Sequence, residues 1–117
     1  MPNPITWWEV YGKDARKLQN YYAELFGWHV DTSNPMNYGM VDPHDPNGIG
    51  GGIAESDQGA QVMIYVEVDD IQGYLDKAVK MGGKVVTPVT VVPDQVTFAQ
   101  FRDIEGNVMG LIKSEPR

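Results

Sequence analysis

At 117 residues, 42% apolar and 21% charged, the chain is large enough for one real core and too small for two independent ones. Its net charge of −7 comes with no basic stripe, which argues against a nucleic-acid partner. Cysteine is absent, which excludes a disulfide framework, a thiol nucleophile and a zinc–cysteine site.

The opening MPNPITWWEV lacks the basic and long apolar regions of a signal peptide. No apolar run approaches the roughly 20 residues of a membrane span. A cytoplasmic location, away from membranes, is the expectation.

Residues 5–11 alternate Trp8 and Val10 with Trp7, Glu9 and Tyr11, the period of an aromatic-rich strand. Asp14 then caps a helix with an apolar face of Leu18, Tyr21, Tyr22, Leu25 and Phe26, and Gly27 ends it. A strand over 28–32, a turn at 33–35 and a short strand over 37–41 follow. Residues 42–48 are a loop of turn formers. Residues 49–55 carry Gly50, Gly51 and Gly52, so this strand is expected to bend or to pass close to another backbone or a ligand. A phosphate cradle is disfavoured there, because neither a helix pattern nor Lys-Ser/Thr follows. Residues 56–60 are a short connector.

Over 61–70, Val62, Ile64, Val66 and Val68 alternate toward a core, while Met63, Tyr65 and Glu67 face the other way. Asp69 and Asp70 supply a cap. Ile71, Tyr74, Leu75 and Ala78 fall at helical spacing, and Gly82-Gly83 ends the helix. A strand over 84–88, a turn at Pro93-Asp94 and a strand over 96–102 come next. The tight turn 103–107 leads into a last strand, 108–113, and a tail, 114–117.

The second half repeats the first at an offset of 56 residues: Asp14 falls on Asp70, Gly27 on Gly83 and Val30 on Val86. Each half reads βαβββ, with modules at approximately 4–56 and 60–114 inside one domain, 1–117. The expected fold is α+β: eight strands and two helices, with the sheets curled into a mixed cup and the helices outside. Trp7, Glu9, Tyr11, Met63, Tyr65 and Glu67 would line that cup. Aromatic rings with a few carboxylates suit a small-molecule site.

Four features, in this order along the chain, resemble the vicinal oxygen chelate superfamily of glyoxalases, bleomycin-resistance proteins and extradiol dioxygenases. They are the paired βαβββ modules, D-x(3)-L-x(2)-Y-Y-x(2)-L-F-G-W at 14–28, Y-V-E-V-D-D at 65–70 and D-x-E-G-N at 103–107. The resemblance covers nearly the whole chain and implies a fold rather than a reaction. It also implies ligand positions in metal-dependent members: here Trp7, Met63 and Gly110. Indole has no lone-pair donor, thioether is a poor ligand for hard divalent ions, and glycine has no side chain. The expectation is therefore no metal and no other cofactor. A divalent ion rebuilt on Glu9, Tyr65 and Glu67 is the lesser possibility, and His29 and His44 fall at no ligand spacing.

Glu9 is the candidate catalytic residue. A carboxylate among Trp7, Tyr11 and Tyr65 is the setting of a general base or of an orienting acceptor. The residues equally allow Glu9 to be satisfied by tyrosine hydroxyls and to shape the pocket only. Trp7, Tyr11, Met63, Tyr65, Glu67 and Gly110 are the candidate ligand-binding residues. Three readings follow: a metal-independent protein that binds a small apolar or aromatic molecule; a lyase, isomerase or hydroxylase-type enzyme with Glu9 as base or metal ligand; and a module acting through protein contacts. A homodimer is expected in any of them.

Overall fold

The computed structural model describes residues 2–114, with the side chain of Ser114 left aside. In chain order the elements are β1 (Ile5–Gly12), α1 (Ala15–Phe26), β2 (His29–Asp31), β3 (Gly39–Asp42), β4 (Gly51–Glu55), β5 (Gln61–Glu67), α2 (Ile71–Lys80), β6 (Lys84–Val92), β7 (Val96–Arg102) and β8 (Val108–Ser114). This is the α+β arrangement of eight strands and two helices, βαβββ twice. Of the expected tail, 114–117, residue 114 belongs to β8 and 115–117 lie outside the described residues. Among those described, no helix is long and apolar enough to cross a membrane.

Residues 7–63 form one compact unit, and the described residues of 1–6 and 64–117 form another. Within the first, the strand order is β2-β3-β4-β1, with β1 parallel to β4 and the other pairs antiparallel. Within the second, β6-β7-β8-β5 repeats that order, with β5 parallel to β8. The helix after β1 or β5 opens the long crossover that a parallel pair requires. The repeat read from caps and stops is thus a repeat of topology.

Both caps work as their residue types dictate. Asp14 accepts from the Lys17 amide at 3.0 Å, and Asp70 from the Gly73 amide at 3.0 Å. Gly27 ends α1 in the left-handed region, at φ 70°. The second stop departs from the gapless alignment: Gly82, at φ 109°, takes the left-handed position instead of Gly83. The α2 helix has 10 residues against 12 in α1, so the stop comes earlier.

The unit containing α2 has a conventional apolar core. Val68, Ile71, Leu75, Ala99 and Leu111 are buried together, with Val66, Tyr74, Val89 and Phe101 packed on them. Val66 and Val68 therefore lie where the alternation puts them, whereas Val62 at the start of the strand is 70% exposed. The β6 strand runs beyond 84–88 and through Pro88. It is the outer strand, where a missing amide costs no ladder bond, and its register shifts on either side of Thr87.

The unit containing α1 is built differently. Val41 and Ile53 are buried, but so is Gln19, whereas Tyr21, Leu25 and Phe26 of the expected core face are more than half exposed. Aromatic stacking explains the difference. Tyr22 and Phe26 lie on Trp28, whose ring centroid is 5.8 and 5.0 Å from theirs, and Trp28 in turn meets Trp8 at 5.1 Å. The rings cover one another rather than inserting beneath the helix. The place beneath it goes to the Gln19 amide, which donates to the Ile53 carbonyl at 2.9 Å and the Asn37 carbonyl at 3.3 Å.

The 103–107 turn explains the D-x-E-G-N motif without reference to a ligand. One Asp103 carboxylate oxygen accepts from the amides of Glu105 and Asn107, and the other from Asn107 Nδ2, all at 2.9 Å. Gly106 supplies the positive φ of 94°. The Asn107 side chain foremost, then these backbone amides, hold the Asp103 carboxyl below the ordinary value of 3.8. A lowered folded-state pKa adds stability above the unfolded value, and this is lost as pH falls through the folded one. Asp103→Asn should therefore lower the thermal midpoint at neutral pH. The gap should narrow below about pH 3.8 and close once Asp103 itself is protonated. Thermal melts across that range test it, and a gap that widens on acidification contradicts it.

Candidate functional site

Strand β1 presents Trp7, Glu9 and Tyr11 on one face. Glu9 is only 8% exposed. A buried carboxylate is costly unless its oxygens are paired. Here both are. Tyr38 donates its hydroxyl to Oε2 at 2.6 Å, and Tyr11 donates to Oε1. Trp7 Nε1 donates in turn to the Tyr38 hydroxyl oxygen at 3.0 Å. Trp7, Tyr38, Glu9 and Tyr11 thus form one hydrogen-bonded row. Hydrogen bonds to a charged group are worth about 1.5–3 kcal/mol each, so the row fixes the carboxylate firmly.

Tyr38 is the residue that reading the chain misses. It precedes β3 and is held by Asn34, which accepts from its amide at 2.9 Å and donates to its carbonyl at 2.7 Å. The signal was present in the glycine triplet. Gly52 is the β4 partner of Glu9, and a Cβ there would overlap the Tyr38 hydroxyl. A Cβ at Gly51 would overlap the Trp8 indole, and one at Gly50 would stand 3.1 Å from Trp7. Close approach is what the triplet serves, but the approaching groups are aromatic side chains rather than the backbone or ligand expected.

The other half has a related pairing. Tyr65, 3% exposed, is the β5 partner of Gly110, and its ring fills the space a Cβ at Gly110 would take. The Tyr65 hydroxyl accepts from Gln100 Nε2 at 2.8 Å, and Gln100 Oε1 accepts from Thr87 Oγ1 at 2.6 Å. Met63 is buried. Glu67 is exposed, and its carboxylate accepts from Thr6 Oγ1 at 3.2 Å. The structure therefore joins Trp7 to Glu9 through Tyr38 and Tyr11 to Glu9 directly, and it joins Tyr65 to Gly110.

The three positions that the resemblance assigns to a metal do not fit one. Trp7 offers only an N–H, which donates to Tyr38, Met63 offers a soft thioether, and the Tyr65 ring lies over Gly110. Among the described residues, no group of three or more His, Cys, Asp or Glu is placed to hold an ion. His29 and His44 lie with ring centroids 6.3 Å apart, beside Asp42. No step is assigned to a metal.

A model of the Glyoxalase/Bleomycin resistance protein/Dioxygenase superfamily matches residues 4–111. The chain belongs to that superfamily. Proteins named "Putative glyoxylase CFP32" in Mycobacterium bovis and Mycobacterium tuberculosis are 28% identical to this superfamily member over 113 residues. The match covers 90% of this chain and 43% of theirs, so the chain spans less than half the length of those relatives. A Streptomyces coelicolor methylmalonyl-CoA epimerase variant, in complex with 2-nitronate-propionyl-CoA, superposes with a TM-score of 0.68. It is 12% identical, over 96% of this chain and 97% of that one. A superfamily member from Vibrio splendidus 12B01 gives a TM-score of 0.63 at 14% identity, over 97% and 100%. At such identities the two structures show a shared fold.

The glycine–ring contact can be tested directly. Gly52→Ala should destabilise the protein by about 1–3 kcal/mol, the usual cost of forcing a methyl group into a packed place. In a Tyr38→Ala background the same change should cost far less, because the overlapping ring is gone. Chemical denaturation of the four proteins measures the coupling, and additive costs would show that Tyr38 does not lie on Gly52.

Proposed function

We propose that this superfamily member binds a small apolar or aromatic molecule against the face that carries Trp7, Tyr11 and Tyr38, without a metal. The observation that supports this reading is the row itself. Three half-buried aromatic side chains surround one buried carboxylate whose two oxygens are already held. Rings of this kind offer flat apolar area with little conformational entropy to lose. Glu9 acts in it as a fixed acceptor that orients the rings and any ligand donor. An epimerase of the same fold in complex with a CoA derivative shows that the fold accommodates organic ligands.

The second reading is an enzyme of lyase, isomerase or hydroxylase type, with Glu9 as the base. The burial of Glu9 favours it. Against it, each Glu9 oxygen already accepts a hydrogen bond from a tyrosine hydroxyl, which uses part of its acceptor capacity and fixes the direction in which it can meet a substrate. A second copy of the chain as partner belongs to either reading, and light scattering reports it.

A thermal-shift screen of aromatic and drug-like compounds separates the two. A compound held at 100 times its Kd should add about 2.7 kcal/mol of stability. Trp7→Ala should weaken its binding tenfold or more, whereas Glu9→Gln should change it only a few-fold. Turnover of the compound that vanishes in Glu9→Gln would instead establish the enzyme. Absence of any stabilising compound, or Trp7→Ala binding like the parent, contradicts the proposal.

A further inference from the structure

A cleft lies in the unit containing α1, and Trp7, Glu9 and Tyr11 are not among its lining residues. Its volume is about 450 Å³, enough for a small ligand. It runs along α1 past Arg16, Gln19 and Asn20, and its far side includes Thr32, Asn37 and Glu55. The buried amide described above lines it. Gln19 is 94% buried (6% exposed), and both its partners, the carbonyls of Ile53 and Asn37, are acceptors. Only the NH₂ group can face them, so the carbonyl oxygen must point the other way. That oxygen accepts no hydrogen bond, and it is not sealed from solvent. The fold thus fixes the amide of a cleft-lining residue and leaves its oxygen, which is open to solvent, without a donor.

The charged groups around it complete a pattern. Arg16 and Glu55 are exposed side chains that make no ion pair or hydrogen bond among the described residues, and the Asn20 amide makes none either. One guanidinium against the carboxylates of Asp14 and Glu55 selects neither a plain anion nor a plain cation. A molecule carrying both signs satisfies both. Apolar lining from Ala23, Val30 and Met36 leaves room for a hydrocarbon side chain.

We infer that this cleft binds a free amino acid with a short apolar side chain. Its ammonium group donates to Gln19 Oε1 and Glu55, and its carboxylate accepts from Arg16 and Asn20. The site is independent of the face around Glu9 and stands or falls separately from it.

The test is an NMR titration of the full, isotope-labelled chain with L-leucine, L-valine and L-methionine. Two truncated controls accompany them: L-leucinamide, which lacks the carboxylate, and 4-methylpentanoate, which lacks the amine. At least one amino acid should saturably shift the Gln19 side-chain amide together with backbone amides at 15–23 and 30–37. If that amino acid is leucine, each control should bind at least tenfold more weakly. Arg16→Ala and Glu55→Gln should each weaken amino-acid binding about tenfold while leaving the thermal midpoint in place, since both side chains are exposed. Saturation by none of the three amino acids, shifts confined to Trp7, Tyr11 and Tyr38, controls that bind as well as leucine, or variants that bind like the parent would each overturn the inference.

Discussion

An aromatic ring can lie flat on a β-strand only where the strand has no side chain. That steric constraint governs both halves of this protein. Gly52 lies under Tyr38 and Gly110 under Tyr65, and each glycine pairs across the sheet with the residue at the middle of the unit's first strand, Glu9 or Tyr65. Glycine in a strand loses packing and raises the entropy cost of folding. Here that cost is offset by the large apolar area of the ring laid upon it.

The state of Glu9 follows from this contact. Burying a carboxylate is unfavourable by several kcal/mol, and tyrosine hydroxyls can offset it only from within hydrogen-bonding distance. Tyr38 reaches Glu9 by crossing the bare backbone of Gly52. Trp7 then reaches Tyr38, and the glycine at position 50 leaves room for the Trp7 ring. A side chain at Gly52 would separate the carboxylate from its donor and the donor from its indole. The same logic at Gly110 gives that half a tyrosine and an amide at a position that the resemblance assigns to a metal ligand. The chemistry of the two halves differs, although their topology is the same.

Much of this was legible in the chain because much of it is local. Asp14 and Asp70 cap within three residues, Gly27 stops its own helix, and Asp103 folds its own turn. Such features carry the fold, and the repeat carries the topology. The site was legible only in part. Glu9, Trp7 and Tyr11 follow from strand alternation, but the Tyr38–Glu9 bond spans 29 positions and needs β1, β3 and β4 in register. Gln19 was missed for the opposite reason. It is a polar residue beside an apolar helical stripe, and only the two carbonyls of Asn37 and Ile53 explain its burial. Tyr21 and Phe26 satisfy the helical period yet remain more than half exposed, because period alone cannot report that their rings meet neighbouring rings instead.

The central claim is that Glu9 is held as an ordered carboxylate by Tyr38 and Tyr11. Proton NMR at neutral pH tests it most directly, through the tyrosine hydroxyl protons, which are seen only when protected from exchange. The account predicts two such protons, assigned to Tyr11 and Tyr38, each correlated with the Glu9 carboxyl carbon. Rapidly exchanging hydroxyls, together with fast flipping of the Tyr38 ring, would contradict it.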